Sequence, residues 1–170
     1  MMLRDALVGT WTLVSYTERS LPDGPVTYPH GPDALGLIMY TPDGYMSAQI
    51  MTQSRPPYDR PVASGGTAEE SAAAATGYLA YSGPYSVDVS TGDIHHHVMV
   101  SLLPNWLGHI QIRHSQLDGE QLTLSAKTPL PNGETMTSTL VWARAPHTPA
   151  RVKGTCDSPP SSSLGPSSPS

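Results

Sequence analysis

Tyr40-Thr41-Pro42-Asp43-Gly44-Tyr45-Met46-Ser47-Ala48-Gln49-Ile50-Met51 is the stretch that decides the fold. Pro-Asp-Gly is turn chemistry: proline presets φ, aspartate bonds its own backbone, and glycine accepts positive φ. The residues after it alternate. Tyr45, Ser47 and Gln49 share one face, and Met46, Ala48 and Ile50 share the other. A turn followed by period-two alternation marks a hairpin strand. The same grammar recurs along the chain. Turn signals fall at Pro22–Gly24, Ser82–Pro84, Ser90–Asp93, Leu117–Gly119 and Pro131–Gly133. Between them lie runs suited to strands: Trp11–Thr17, Gly36–Tyr40, Tyr45–Met51, Tyr85–Val89, Ile94–Leu102, His109–Gln116, Gln121–Lys127 and Thr135–Arg144. These alternating segments, about eight strands joined mostly by hairpin-length turns, make an all-β, antiparallel up-and-down meander. Closing it into a barrel removes its edges.

One segment departs from this pattern. Thr67 with Glu70 three residues on is a capping box, and the alanine run after it favours helix. The pattern predicts one short helix over 68–79 that covers a barrel mouth. From Pro146 the composition becomes Ser and Pro with almost nothing to bury. Residues 146–170 therefore read as a disordered tail, and residues 4–145 as the barrel domain.

The chain has 170 residues, enough for one domain with a real core, and contains no Phe, three Trp and eight Tyr. Its formal charge is −5, with Lys and Arg scattered, so no phosphate-tracking surface is expected and nucleic acid is not a partner. The single cysteine, Cys156, leaves no internal disulfide and no Cys-based zinc cluster. No apolar run is long enough to span a bilayer and no signal peptide is evident, so the expectation is cytoplasmic, without a membrane partner. A homodimer is compatible with the composition. There is no Gly-x-Gly-x-x-Gly, no phosphate loop and no Gly-x-Ser-x-Gly elbow, so no cofactor and no covalent acyl chemistry are expected.

Gly92-Asp93-Ile94-His95-His96-His97-Val98-Met99-Val100-Ser101 carries three of the seven histidines. By alternation His96 shares a face with Ile94, Val98 and Val100, whereas His95 and His97 share the other with Met99 and Ser101. The apolar company of His96 predicts that it points inward. A metal site would need a third ligand from the next strand, such as His109 or His114, and no carboxylate or cysteine completes a zinc set by spacing; no metal is expected. An inward His96 is either a hydrogen-bonded core histidine or a general acid–base group.

Arg113 follows in the next strand, on a face with Gln111, Ser115 and Leu117, opposite Ile110, Ile112, His114 and Gln116. The pattern does not settle which face is inside. An inward guanidinium needs an anionic partner or a ligand group. Tyr40 or Tyr81 is a candidate hydrogen-bond donor to a developing enolate oxygen. Tyr45, Ser47 and Gln49 form a polar stripe that is either the solvated outside or, in a ligand-binding barrel, a wall that orients substrate. Tyr85, Asn105 and Trp106 are further candidates for the cavity wall or mouth.

Two groups of residues carry a resemblance. The Gly-x-Trp in "LVGTWTLVSY" and the Arg in "LVWARA" resemble the lipocalin signature, which implies structural roles for Gly9, Trp11 and Arg144: the Trp plugs one barrel end and the Arg packs across its ring. "YPHGPDALGLIMYTPDGYMSAQIM", "GYLAYSGPYSV", "HHHVMVSLLPNW" and "LDGEQLTLSA" look like the lipocalin-like domain family over about residues 7–144. The resemblance implies an antiparallel barrel with an internal cavity. Pro84 departs from it, standing where a basic residue is expected. Fungal members of the family resemble accessory proteins of polyketide or terpenoid pathways. On that resemblance the expected function is a cofactor-independent cyclase, isomerase or dehydratase acting on a hydrophobic intermediate, with His96, Arg113, Tyr40 and Tyr81 as catalytic candidates. The alternative is a non-catalytic carrier of a hydrophobic small molecule. A third reading, an interaction module with a filled barrel, has no ligand-sized cavity.

Overall fold

The computed structural model describes residues 2–21 and 23–146. The tail expected over residues 146–170 lies, beyond Pro146, outside the described residues.

Eight antiparallel strands close on themselves. They are β1 (Gly9–Leu21), β3 (Leu35–Tyr40), β4 (Tyr45–Met51), β5 (Tyr78–Val87), β6 (Ile94–His97), β8 (Ile110–Asp118), β9 (Gln121–Pro129) and β10 (Thr135–Arg144). Their order follows the chain, and β10 pairs back onto β1 along Trp11↔Arg144 to Leu21↔Thr135. Two short strands add to the wall: β2 (Val26–Thr27) on β1, and β7 (Val100–Ser101) on β5. The barrel class expected from the hairpin grammar is what the chain forms.

One end is sealed by its own residues. A helical turn, α1 (Leu3–Leu7), which the sequence pattern did not predict, lies under the barrel with Leu7 fully buried. The Trp11 indole donates to the Leu7 carbonyl at 2.9 Å. The Arg144 guanidinium lies 4.1 Å from the Trp11 ring centroid and donates to the carbonyls of Val8 and Ala6. Gly9 has φ +131°, and a Cβ there would stand 3.1 Å from the Arg144 head, so only glycine suits the position. Above this plug sit Ile38, Tyr40, Met46, Ile94, Leu122 and Trp142, all buried.

Three details differ from the simple strand reading. The helix α2 (Ala68–Thr76) has the predicted capping box, with the Thr67 hydroxyl accepting from the Glu70 amide and the Glu70 carboxylate from the Thr67 amide. It stops at Gly77, whose N–H reaches back to the Ala73 carbonyl at 3.1 Å, so Tyr78 and Leu79 belong to β5. It lies beside the open end, none of its residues is buried, and none lines the lumen.

The strand expected over 94–102 is broken. The Val98 amide bonds His109 and the Met99 amide bonds Ser82, so the backbone leaves β6 and re-forms as β7. Val98 stays buried, but Val100 is 61% exposed rather than sharing the His96 face. Gly83 makes this crossing fit: a Cβ there would lie 1.9 Å from the His97 carbonyl oxygen.

Finally, β1 carries a bulge. The register shifts between Leu13 and Ser15, and Val14 is turned out to solvent. An extra residue in one strand swaps the faces beyond it. Before the bulge Trp11 and Leu13 pair with Arg144 and Trp142. After it Tyr16 and Glu18, rather than their odd-numbered neighbours, pair with Leu140 and Ser138 and face the interior.

Candidate functional site

The interior above the plug is a lumen of about 360 Å³, within the size range of small-molecule pockets. Most of its wall is apolar, with Ile38, Ile50, Leu79, Leu124, Leu140 and Trp142 prominent. The polar groups are few and come from known places. Tyr16 and Glu18 enter because of the β1 bulge, and Ser138 enters opposite Glu18 on β10. Gln111 and Arg113 enter from β8.

On β8 the faces are inverted relative to simple patterning. Gln111 and Arg113 turn in, whereas Ile110 and Ile112 are about half exposed on the outside. The open question about Arg113 is answered: it lines the lumen. Its NH1 donates to the Ile112 carbonyl at 3.1 Å and its NH2 to Gln111 Oε1 at 3.5 Å, and its head lies 5.8 Å from the Trp106 ring centroid. No carboxylate among the described residues forms a salt bridge with it.

His96 does turn inward, but it stops short of the lumen. It is fully buried, with Nε2 2.9 Å from the Tyr40 hydroxyl and Nδ1 3.0 Å from the Tyr81 hydroxyl. A neutral imidazole has one N–H and one bare nitrogen, so one tyrosine accepts and the other donates. Burial, followed by the positive charge of Arg113 and the neighbouring His97 and His95, holds the His96 imidazole well below its ordinary range. Burial likewise holds the Tyr40 hydroxyl well above its ordinary range. Of these three side chains, Tyr81 alone lines the lumen.

His95 and His97 are half-buried on the other face, and His97 is 3.2 Å from the Ser86 hydroxyl. His114 pairs with Asp93 at 2.8 Å on the surface. Among the described residues, no group of three His, Cys, Asp or Glu converges as a metal site would require.

The substrate-binding expectations divide. Trp106 sits in a 3₁₀ turn (Pro104–Trp106) at the open end, edge-on to Tyr81 at 5.2 Å, and lines the lumen. Its neighbour Asn105 is exposed and does not. Tyr85 is buried against Tyr40 below the lumen, and its hydroxyl donates to the Thr41 carbonyl. Tyr45, Ser47 and Gln49 occupy the outer face of β4, with Tyr45 51% exposed, so the wall-of-the-cavity expectation for them is corrected. Met46, Ala48 and Ile50 hold the inner face instead, as apolar residues of a solvated sheet do. Ser47 bonds the Ser82 hydroxyl, and Gln49 accepts from Tyr78, both outside the lumen. Pro84 pairs with Tyr45 on this same outer face, so the departure there does not alter the cavity.

Sequence reasoning missed Tyr16, Glu18 and Ser138. Tyr16 and Ser138 both donate to Glu18 Oε1, at 2.8 and 2.9 Å. Burial, with the adjacent Glu18 charge, raises the Tyr16 hydroxyl far above its usual value, so it remains a neutral donor. The one signal available was the apolar doublet Leu13-Val14, which breaks strict alternation as a bulge does.

Comparison with known proteins gives the same frame. A family model described as a lipocalin-like domain matches residues 8–145. A 4'-hydroxy-3'-methoxypropiophenone carrier protein of Aspergillus oryzae is 38% identical over 108 residues, covering 59% of this chain and 97% of the relative. No solved structure matches.

Proposed function

The chain belongs to the lipocalin-like domain family, and from that premise we propose that it is a carrier for a hydrophobic, single-ring aromatic small molecule. The observation that carries this reading is the lumen itself: mostly apolar with a few polar groups, open at one end, and separated from His96 by Tyr81. The carrier named among its relatives supports the same ligand class.

The tailoring-enzyme reading remains as a second one, because Tyr81 connects the lumen to His96 and Tyr40. The physics of that chain favours the carrier. An imidazole that burial holds neutral is a poor proton acceptor, and the hydroxyl beyond it has no route to solvent, with Tyr40 1% exposed.

The two readings separate in one experiment. The purified chain is titrated with 4'-hydroxy-3'-methoxypropiophenone by calorimetry, and the compound is then recovered and analysed by chromatography. Saturable binding with unchanged recovery is the carrier result. Conversion without added cofactor would make the protein a cyclase-, isomerase- or lyase-type enzyme and return Tyr81 and His96 to the mechanism. Absence of binding removes this ligand class.

A further inference from the structure

Glu18, Ser138, Ala126 and Arg113 lie on one rung of the barrel wall. Glu18 pairs with Ser138 and Ser138 with Ala126. Ser125 pairs with His114, which places Arg113 beside Ala126 on the next strand. All four line the lumen. A carboxylate and a guanidinium thus face the same cavity, three strand spacings apart, about 14 Å along the wall. The two residues between them are small, which leaves the lumen open on that side.

Neither head is neutralised by the other, since no salt bridge joins them. The carboxylate is oriented: Oε1 takes hydrogen bonds from Tyr16 and Ser138, and Oε2 has no partner among the described residues. An oriented carboxylate oxygen with no other partner accepts from a hydroxyl. The guanidinium is also held, by the Ile112 carbonyl, Gln111 and the face of Trp106. Its remaining donors suit a carbonyl or anionic oxygen.

We propose that Glu18 and Arg113 are the two poles that read the ligand: Glu18 takes a phenolic hydroxyl at one end, and Arg113 takes a carbonyl or carboxylate oxygen at the other. This rests on the carrier reading above and narrows its ligand class to elongated hydroxyaryl carbonyl compounds. A purely hydrocarbon ligand would leave a carboxylate and a guanidinium desolvated against apolar atoms, which is unfavourable. A hydroxyaryl carbonyl compound satisfies both while its ring lies along the apolar wall.

The test uses the full chain and four probes of one size: 4'-hydroxypropiophenone, propiophenone, 4-propylphenol and propylbenzene. Affinities are read by calorimetry and by quenching of tryptophan fluorescence. The hydroxyketone binds tightest, and deleting either polar group weakens binding about tenfold or more, the scale of a hydrogen bond to a charged group. Glu18→Gln, which keeps an acceptor for Tyr16 and Ser138, shrinks the preference for the hydroxyl and leaves the preference for the ketone. Arg113→Met does the reverse. Binding of all four probes to the wild-type chain within threefold of one another overturns the two-pole assignment and leaves the carrier reading standing. Failure of every probe, propylbenzene included, overturns both. The wild-type series decides the point even where a variant folds poorly.

Discussion

His96 is locked to Tyr40 by a 2.9 Å hydrogen bond in which neither residue touches solvent. With Tyr81 on the other ring nitrogen, the imidazole has no free polar atom. This arrangement makes His96 a structural tie between β6, β3 and β5. His96→Leu fills similar space but leaves two buried hydroxyls without their partner. Each such loss costs roughly 1–3 kcal/mol, so the variant should be less stable by about 2–6 kcal/mol. Urea denaturation reads the difference. A stability unchanged within about 0.5 kcal/mol would mean the network is not a tie.

The same residue sets a pH dependence. In the folded chain, burial keeps the His96 imidazole well below the ordinary value near 6.5, with Arg113, His97 and His95 adding to the shift. Above about pH 6.5 the imidazole is neutral both folded and unfolded, and its contribution is fully present. As pH falls below that value the unfolded chain takes up a proton that the folded chain refuses, so stability falls, by up to about 1.4 kcal/mol per pH unit. His30 shifts in the same direction, from burial, with Glu18 opposing. Denaturation midpoints at pH 7.5, 6.5 and 5.5 should therefore descend on the acid side only, and His96→Leu should flatten most of the descent. A midpoint that rises on acidification would contradict the assignment.

Gly83→Ala tests the strand crossing. The added methyl would stand 1.9 Å from the His97 carbonyl oxygen and 3.0 Å from the Met99 amide, both backbone atoms that cannot swing aside. The β6–β7 crossing must then move off β5. Destabilisation by at least about 2 kcal/mol is expected, the scale of an overpacking substitution. Thermal unfolding monitored by circular dichroism gives the value, and a Tm matching the wild type would show that the backbone there yields freely.

Much of the fold was legible because a turn plus alternation is a local signal. Pro42-Asp43-Gly44 and the residues after it are enough to place β3 and β4, and the Thr67–Glu70 capping box is enough to place α2. The face of His96 was legible for the same reason, from Ile94 and Val98 beside it. What escaped was non-local. The bulge at Val14 exchanges the faces of β1, so Glu18 enters the lumen although alternation from Trp11 puts it outside. On β8 the inward residues are Gln111 and Arg113 and the outward ones Ile110 and Ile112, the reverse of what apolar alternation alone selects for the inside. The polar stripe of β4 obeyed the ordinary rule, so no single polarity rule assigns both strands.

The inside and outside of that wall can be told apart by function. Trp106 stands at the open end of the lumen, edge-on to Tyr81 and under the Arg113 head, whereas Tyr45 stands half-exposed on the outer face of β4. Both are large aromatics near the surface, so a nonspecific loss of hydrophobic area would affect them alike. A ligand held in the lumen would not. Trp106→Ala removes ring contact with the ligand and the support beneath the guanidinium, and affinity for 4'-hydroxypropiophenone should fall about tenfold, the scale of one buried aromatic contact. Tyr45→Ala should leave it within twofold, since the ring it removes never faces the cavity. Calorimetric titration of the two variants beside the wild type gives both numbers. If Tyr45→Ala weakened binding and Trp106→Ala did not, the ligand would sit on the outer wall, and the lumen would have to be given up as the site.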